Sequence, residues 1–456
     1  MKTKVFALLA GLVVIGVVIA VIASCEKPYL AQHTLPDGKV LTLVGMTVGE
    51  RHVSPLAPLP HRIGARLPAS WRKRLKIQTP PTPYADVSSN YLTVWITTPA
   101  KSDGTAPKLQ LLMSDDGDNF SVPNNSYSRP VSVPLGSNMW LQGLPMISWP
   151  RRAETLRILL YPEHTDPFLM RVYPDASTLP AKSLAEFRVK NPEPDRKTRP
   201  WPAAPWPVTV KDGDLEFTLR SLWLGVDWPR DDWKLRPLRE PMQRKTRATF
   251  RVTKGGELQT NWNAYHVREI RDATGNWSHG DSFNSAIREG ETMNQFGQLP
   301  PPADDTWRMT VEFSRVSGFS ADELHTIKGF IMPKEGQWGS AVTNAVGQQR
   351  LVVQWEQPWL DKSPYQIRAR VEPEPRGPAL ALIRSVRHRL TLVCATDDRG
   401  RAVTFKNHGG GSGTTHEILK LEPDATSVDL VFAHHRSRLV TFEVKPEFYR
   451  GDKAAK

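Results

Sequence analysis

The sequence predicts an all-β protein: three tandem β-sandwich, Ig-like domains after an N-terminal transmembrane or lipoprotein-type anchor helix. Three observations carry this expectation. Apolar and polar residues alternate in many short runs, one order of features recurs three times, and a single long uncharged apolar run stands at the N-terminus.

The alternation is clear in WRMTVEF, where Trp307, Met309, Val311 and Phe313 share one face. It recurs at Leu215, Phe217 and Leu219, at Ala248, Phe250 and Val252, at Tyr365, Ile367, Ala369 and Val371, and at Leu156, Ile158 and Leu160. Side chains of a strand point alternately to its two faces, so a period of two marks one face in a core and one in water. Composition agrees: 40 of 456 residues are proline, against about 5% in ordinary chains. Proline suits loops and strand edges better than helix interiors. Two short helical turns are expected, one opened by the capping box Ser320–Glu323 before Leu324 and Ile327, and one begun by Ser70 and running through Leu75.

The apolar run Val5–Ala23 is 19 residues long and comes after Lys2 and Lys4. A membrane-spanning helix needs about 20 such residues, and lysines ahead of it place the N-terminus inside. The run ends in Ile22-Ala23-Ser24-Cys25, which resembles a lipobox and makes Cys25 the possible lipidation site. An uncleaved anchor and a lipoprotein both remain open. On either reading residues 1–29 are the anchor or signal segment, and the rest of the chain is extracytoplasmic at a membrane surface.

The repeat sets the domain boundaries. Each unit opens on an apolar strand: GKVLTLVGMTVG, GDLEFTLRSLWLG or QRLVVQW. Next is a strand running into an Asp and Gly turn: LLMSDDG, REIRDATG or LVCATDDRG. Then comes a second alternating strand, LRILLYP, WRMTVEFSR or VDLVFAHH. Each unit closes on a phenylalanine and a proline, at Phe187 to Pro192, Phe330 to Pro333 and Phe442 to Pro446. From turn glycine to closing phenylalanine the spacing is 70, 55 and 42 residues. Order is kept while length varies, as when insertions fall in loops. The expected domains are 32–195, 208–335 and 338–448, with a disordered tail at 449–456 and a Pro/Trp-rich linker at 196–207. That linker belongs to a semi-rigid extended spacer. Its Trp201 and Trp206 form a possible ligand platform, or pack down to set the angle between domains.

SDDGDNF, residues 114–120, looks like a metal loop. An EF-hand through Gly117 would need an acid at Leu112 and a glutamate at Pro123, so the pattern fails at both ends. Beside RDATGN and TDDRG it is expected to be a turn, with aspartate and glycine in their usual turn roles. The 12 histidines are scattered without HExxH. His434 and His435 are adjacent and point to opposite faces of a strand, and His408 and His416 flank GGGSG, expected to be a flexible hairpin loop. Asp231-Asp232 and Asp304-Asp305 are expected to be solvated turn residues. Cys394 in LTLVCA shares its expected face with Leu390 and Leu392, which predicts a buried thiol. No catalytic residue, metal ligand or cofactor site is expected.

The net charge of +13 has one concentrated source. Arg51, Arg62, Arg66, Arg72, Lys73, Arg74 and Lys76 lie in a stretch without an acid. With WRKRLK helical, Trp71 and Leu75 meet beneath a cationic face. Arg72, Lys73, Arg74 and Lys76 are then possible contacts to anionic headgroups or envelope polymer; the alternative is a basic loop with Trp71 packed into the first domain. Nucleic acid is disfavoured by the compartment.

On GKVLTLVGMTVG, FRVKNP and DATGN, the chain resembles the membrane-anchored ectodomain proteins with tandem β-domains found in bacteria. The resemblance implies an anchored scaffold and transfers no activity. The expected function is therefore non-enzymatic: envelope or protein–protein interaction from a membrane tether. The alternatives are carbohydrate binding through exposed tryptophans (Trp201, Trp206, Trp228 and Trp277) and a hydrolase acting on envelope polymers, which would need two facing carboxyl groups.

Overall fold

Alternating sequence becomes paired strand almost everywhere in the computed structural model. It describes residues 31–49, 52–57, 70–71, 74, 84–85, 91–115, 120–121, 128–129, 131–136, 138–162, 183–226, 245–278, 282–288, 291–296, 305–334, 338–339, 341–346, 349–357, 365–372, 388–410 and 413–448. The chain is all-β. Among the described residues, helical conformation occurs only at Ser70, Trp71, Arg74 and the 3-10 turn Ala321–Glu323. None of their helices is long and apolar enough to cross a membrane, and the run Val5–Ala23 lies outside them.

Three extensive cores form, each between two sheets. The first is bounded by a five-stranded sheet in the order Ala31–Thr34, Val40–Gly49, Tyr91–Pro99, Met139–Met146, Val131–Pro134. Facing it, Ala185–Lys190, Thr155–Pro162, Leu109–Ser114 and Phe120–Ser121 pair in that order. Leu43, Leu92, Val94, Leu111, Ile158 and Phe187 meet between them.

The second core repeats this plan. Val208–Asp212, Leu215–Val226, Lys245–Lys254, Glu291–Phe296 and Ser282–Arg288 form one sheet. The other runs Trp277–Ser278, Trp262–Asp272, Trp307–Arg315, Arg438–Val444. Phe217, Phe250, Phe313 and Phe442 cluster at its centre, with ring centroids 4.6 to 6.3 Å apart.

In the third, the sheet Ala341–Val346, Gln349–Glu356, Tyr365–Glu372, Gly413–Lys420, Thr404–Gly410 faces Leu324–Ile331, Ser427–Arg436 and His388–Asp397. Phe330 stacks on Trp355 there, with centroids 4.8 Å apart and planes 3° from parallel.

The strands do not respect the boundaries 208–335 and 338–448. Leu324–Ile331 pairs with Ser427–Arg436, so Ile327 and Phe330 pack in the third core. Arg438–Val444 pairs with Trp307–Arg315, so Val440, Phe442 and Val444 pack in the second. Arg438–Val444 buries every second residue, whereas Leu324–Ile331 buries Ile327 and Phe330 three apart, across a slip in its pairing. Glu323 reaches back as expected, Ser320 N–H donating to Glu323 Oε2 at 2.9 Å, while Glu323 N–H donates to the Ser320 carbonyl at 3.0 Å and closes the turn. Only this single 3-10 turn results, and Leu324 and Ile327 continue as strand.

The Asp and Gly turns share one geometry. In Asp272–Asn276 the first residue's N–H donates to the last carbonyl at 3.0 Å, and Gly275 N–H donates to the Asp272 carbonyl at 3.3 Å. Asp397–Arg401 does the same at 2.9 and 2.9 Å. Gly275 and Gly400 have φ of 95° and 76°, the left-handed value needed at the end of a three-residue hairpin loop. Each aspartate sits three residues before its glycine and accepts N–H groups of its own turn, Asp272 from Thr274 and Asn276, Asp397 from Arg399 and Arg401. Three residues before Gly117 stands Ser114, fully buried. By that spacing Ser114, and none of the three aspartates of SDDGDNF, corresponds to Asp272 and Asp397. Residues 116–119 themselves lie outside the described residues.

Cys394 departs from expectation. The pairing of His388–Asp397 with Ser427–Arg436 slips between Leu392 and Cys394. The bulge inserts one unpaired residue, so every side chain beyond it faces the opposite way. Val393 and Cys394 are both exposed, and Ala395 turns into the core instead.

Candidate functional site

The residues singled out from sequence do not converge. Cys25, Arg72, Lys73, Lys76 and Trp228 lie outside the described residues. Arg74 is exposed, and Trp71 beside it is 58% exposed; its indole is not packed into the first core. Trp201 is half-buried with the Arg308 guanidinium 4.0 Å over its ring, and Arg308 in turn donates to Glu443 at 2.8 Å. Trp206 packs against the second core, and Trp277 is 4% exposed. Between the two linker tryptophans, Ala204 N–H donates to the Glu443 carbonyl at 3.1 Å. The linker thus lies along the outer edge of the Arg438–Val444 strand.

What the fold does gather are two buried polar junctions. The first joins the segment after Met139–Met146 to the turn after Trp262–Asp272. Asn276 is its pivot: Oδ1 accepts from Trp149 N–H at 3.1 Å and Arg151 Nε at 2.6 Å. Its Nδ2 donates to the Trp149 carbonyl at 2.9 Å and to Asp272 Oδ2 at 2.6 Å. Ser148 Oγ donates to the Trp277 carbonyl at 2.8 Å, and the Arg151 guanidinium lies 3.6 Å over the Trp149 ring. Burial pushes the Asp272 carboxyl up and brings Arg151 down to about 10, the latter opposed by the nearby Asp272 and Asp195 charges. Beside this pivot, Arg152 Nη2 pairs with Asp305 at 2.9 Å. Asp305 is 2% exposed, which corrects the expectation of a solvated turn residue.

The second junction lies where the second and third cores meet. Glu312, on Trp307–Arg315, is fully buried. Arg268 Nε donates to its Oε2 at 2.6 Å, while Arg389, from the third core's His388–Asp397, reaches both oxygens at 2.6 Å. Burial presses the Glu312 carboxyl up, but the Arg389 hydrogen bonds and the two guanidinium charges outweigh it and hold the group below its ordinary value. Arg389 also lies 4.0 Å over the Tyr265 ring. Next to this cluster Ser314 Oγ and His435 Nε2 are 2.6 Å apart, and Arg315 pairs with Glu323. Burial lowers His435 to about 4.

Other chemistry-bearing residues are absorbed locally. His416 is fully buried against Thr414 at 2.7 Å. His52, fully buried, bonds Thr47 at 2.9 Å and the Gly49 carbonyl at 2.7 Å. No group of three or more His, Cys, Asp or Glu among the described residues is placed to hold a metal ion. The junction residues escaped sequence reading because the bonds that join one core to the next span long separations: Glu312 to Arg389 is 77 positions, Trp149 to Asn276 is 127. DATGN was the one visible trace. Enclosed in this way, the two junctions fix one core against the next. Glu312 and Asp272 have no exposed face to offer a substrate.

No known protein family and no curated protein matches the chain. Among solved structures, the I-band fragment I67–I69 of titin is 9% identical, covers 79% of this chain and 93% of its own, and has a TM-score of 0.11. An E-to-A variant of the same fragment is 10% identical over the same shares, also with a TM-score of 0.11. Superpositions of that quality carry no argument about this chain.

Proposed function

We propose that the chain is a membrane-tethered, extracytoplasmic scaffold of three tandem Ig-like β-sandwiches, non-enzymatic, that presents its surface to envelope or protein partners. The observation that carries this reading is where the buried charge goes. Asn276 with Arg151 and Asp272, and Glu312 with Arg268 and Arg389, join successive sandwiches through buried hydrogen bonds. A tether is supported by the uncharged run Val5–Ala23 behind two lysines. The test is extraction of host membranes with alkaline carbonate. The full chain should sediment with the membranes, and a chain lacking residues 5–23 should be released. Release of the full chain would refute the tether. Intact mass of the detergent-extracted protein then tells an uncleaved anchor from acylation at Cys25.

A second reading has its own observation. Trp71 is 58% exposed beside exposed Arg74, within a stretch of seven basic residues and no acid. An exposed indole among cations suits an anionic membrane surface or envelope polymer near the tether. Reversing the charge of Arg72, Lys73 and Arg74 should abolish sedimentation of the anchor-free protein with anionic vesicles; unchanged sedimentation would discard this contact.

A further inference from the structure

The first sandwich shows how a unit closes. Ala185–Lys190 comes after Thr155–Pro162 in sequence and pairs antiparallel with it, Ile158 opposite Phe187. By this pattern Leu324–Ile331 should close on Trp307–Arg315, the strand just before it, and Arg438–Val444 on Ser427–Arg436. Each sits instead in the other's place. Met309 faces Phe442, and Val428 faces Phe330. Both pairings are antiparallel, as in the first sandwich, and each puts its phenylalanine in the core it has joined.

We propose that the second and third sandwiches have exchanged their closing strands within one chain, so that the third forms from the unbroken stretch 324–436 and the second completes its core only after the chain has passed through the third. Strand exchange of this kind is familiar between protomers. Here the partner is the next sandwich of the same chain. The local geometry enforces it. Only Ser437 separates Ser427–Arg436 from Arg438–Val444, and the tightest common hairpins need about two loop residues. The chain therefore runs straight from the third sandwich into the second. The outward crossing, residues 316–323, passes beside it, with the Phe319 ring 4.9 Å from the His435 ring. The Glu312 cluster closes around both crossings, drawing Arg268 from the second sandwich, Arg389 from the third and a hydrogen bond from Ser437 at the crossing itself. Past the exchange, Glu447–Phe448 adds a parallel pairing to Leu215–Val226, which anchors the returning strand in the second sandwich's other sheet. The inference rests on strand pairing and is independent of the membrane tether.

Cross-strand cysteines in the full chain test it, in a background with Cys25 and Cys394 replaced by serine. Thr310 and Thr441 face each other on the solvent side, hydroxyls 3.0 Å apart, and Thr326 faces Val431. Mild oxidation of T310C/T441C, and separately of T326C/V431C, should give an intrachain disulfide in a monomer. Folded protein that keeps both thiols free would overturn the exchange. So would disulfide-linked dimers, which would mean that the strands are traded between copies. Hydrogen exchange on the unmodified chain covers the case of variants that do not fold. The amides of Trp307–Arg315 and Arg438–Val444, on either side of the third sandwich in sequence, should lose protection in one common opening; two independent openings would sink the proposal.

Discussion

The Glu312 carboxylate of the second sandwich is gripped at both oxygens by Arg389 of the third, at 2.6 Å each, with 0% and 3% of the side chains exposed. Such a pair contributes little net stability over an apolar substitute, yet removing one member is severe, because the other charge stays buried alone. Glu312→Ala strands both Arg268 and Arg389. It should destabilise the protein by about 3–5 kcal/mol, read as a lower urea midpoint. Replacing all three with apolar residues of similar size should recover most of that loss.

Asn276→Ala tests the other junction. It removes the acceptor of Trp149 N–H and Arg151 Nε and the donor to Asp272. Leaving buried polar groups unpaired costs about 1–3 kcal/mol each. The expected readout is a lower melting temperature with faster amide exchange at residues 147–152. Unchanged exchange there would show that the junction does not hold the two sandwiches.

Acid should weaken the fold through two histidines. Burial lowers both His52 and His435 from 6.5 to about 4. As pH falls below 6.5 the unfolded chain takes up protons that the folded chain refuses, so stability drops down to about pH 4 and is level below it. By pH 5 the loss is on the order of 2 kcal/mol per histidine. Urea midpoints at pH 7 and pH 5 measure it. The difference should shrink in His435→Gln, which cannot titrate.

Cys394 is exposed because of the bulge at Leu392. It should react fully with a maleimide in the folded protein, and Cys394→Ser should change stability by less than about 0.5 kcal/mol. A thiol that labels only after denaturant is added would contradict the outward register.

Legibility depended on range. The apolar alternation at Leu215, Phe217 and Leu219, or at Trp307, Met309 and Val311, needs only the two-residue period, and all of these residues are buried. The Asp272 and Asp397 turns were legible because their bonds span only a few positions. Cys394 was misread because a bulge, one extra residue, flips facing without marking the sequence. The linker tryptophans left two readings open in sequence. Trp201 proved to lie under Arg308, 107 positions away.

By itself the sequence determined the all-β class, the alternating faces and the Asp–Gly turns at Asp272 and Asp397. Each of these is set by neighbours a few residues apart. Tertiary structure decided which core receives each closing strand. Leu324–Ile331 buries Ile327 and Phe330 and Arg438–Val444 buries Val440, Phe442 and Val444, but the strands they pair with lie far away in sequence, so neighbouring residues cannot choose the core. The choice was made by a crossing at Ser437 too short to turn, and by a buried carboxylate whose two arginines come from different sandwiches.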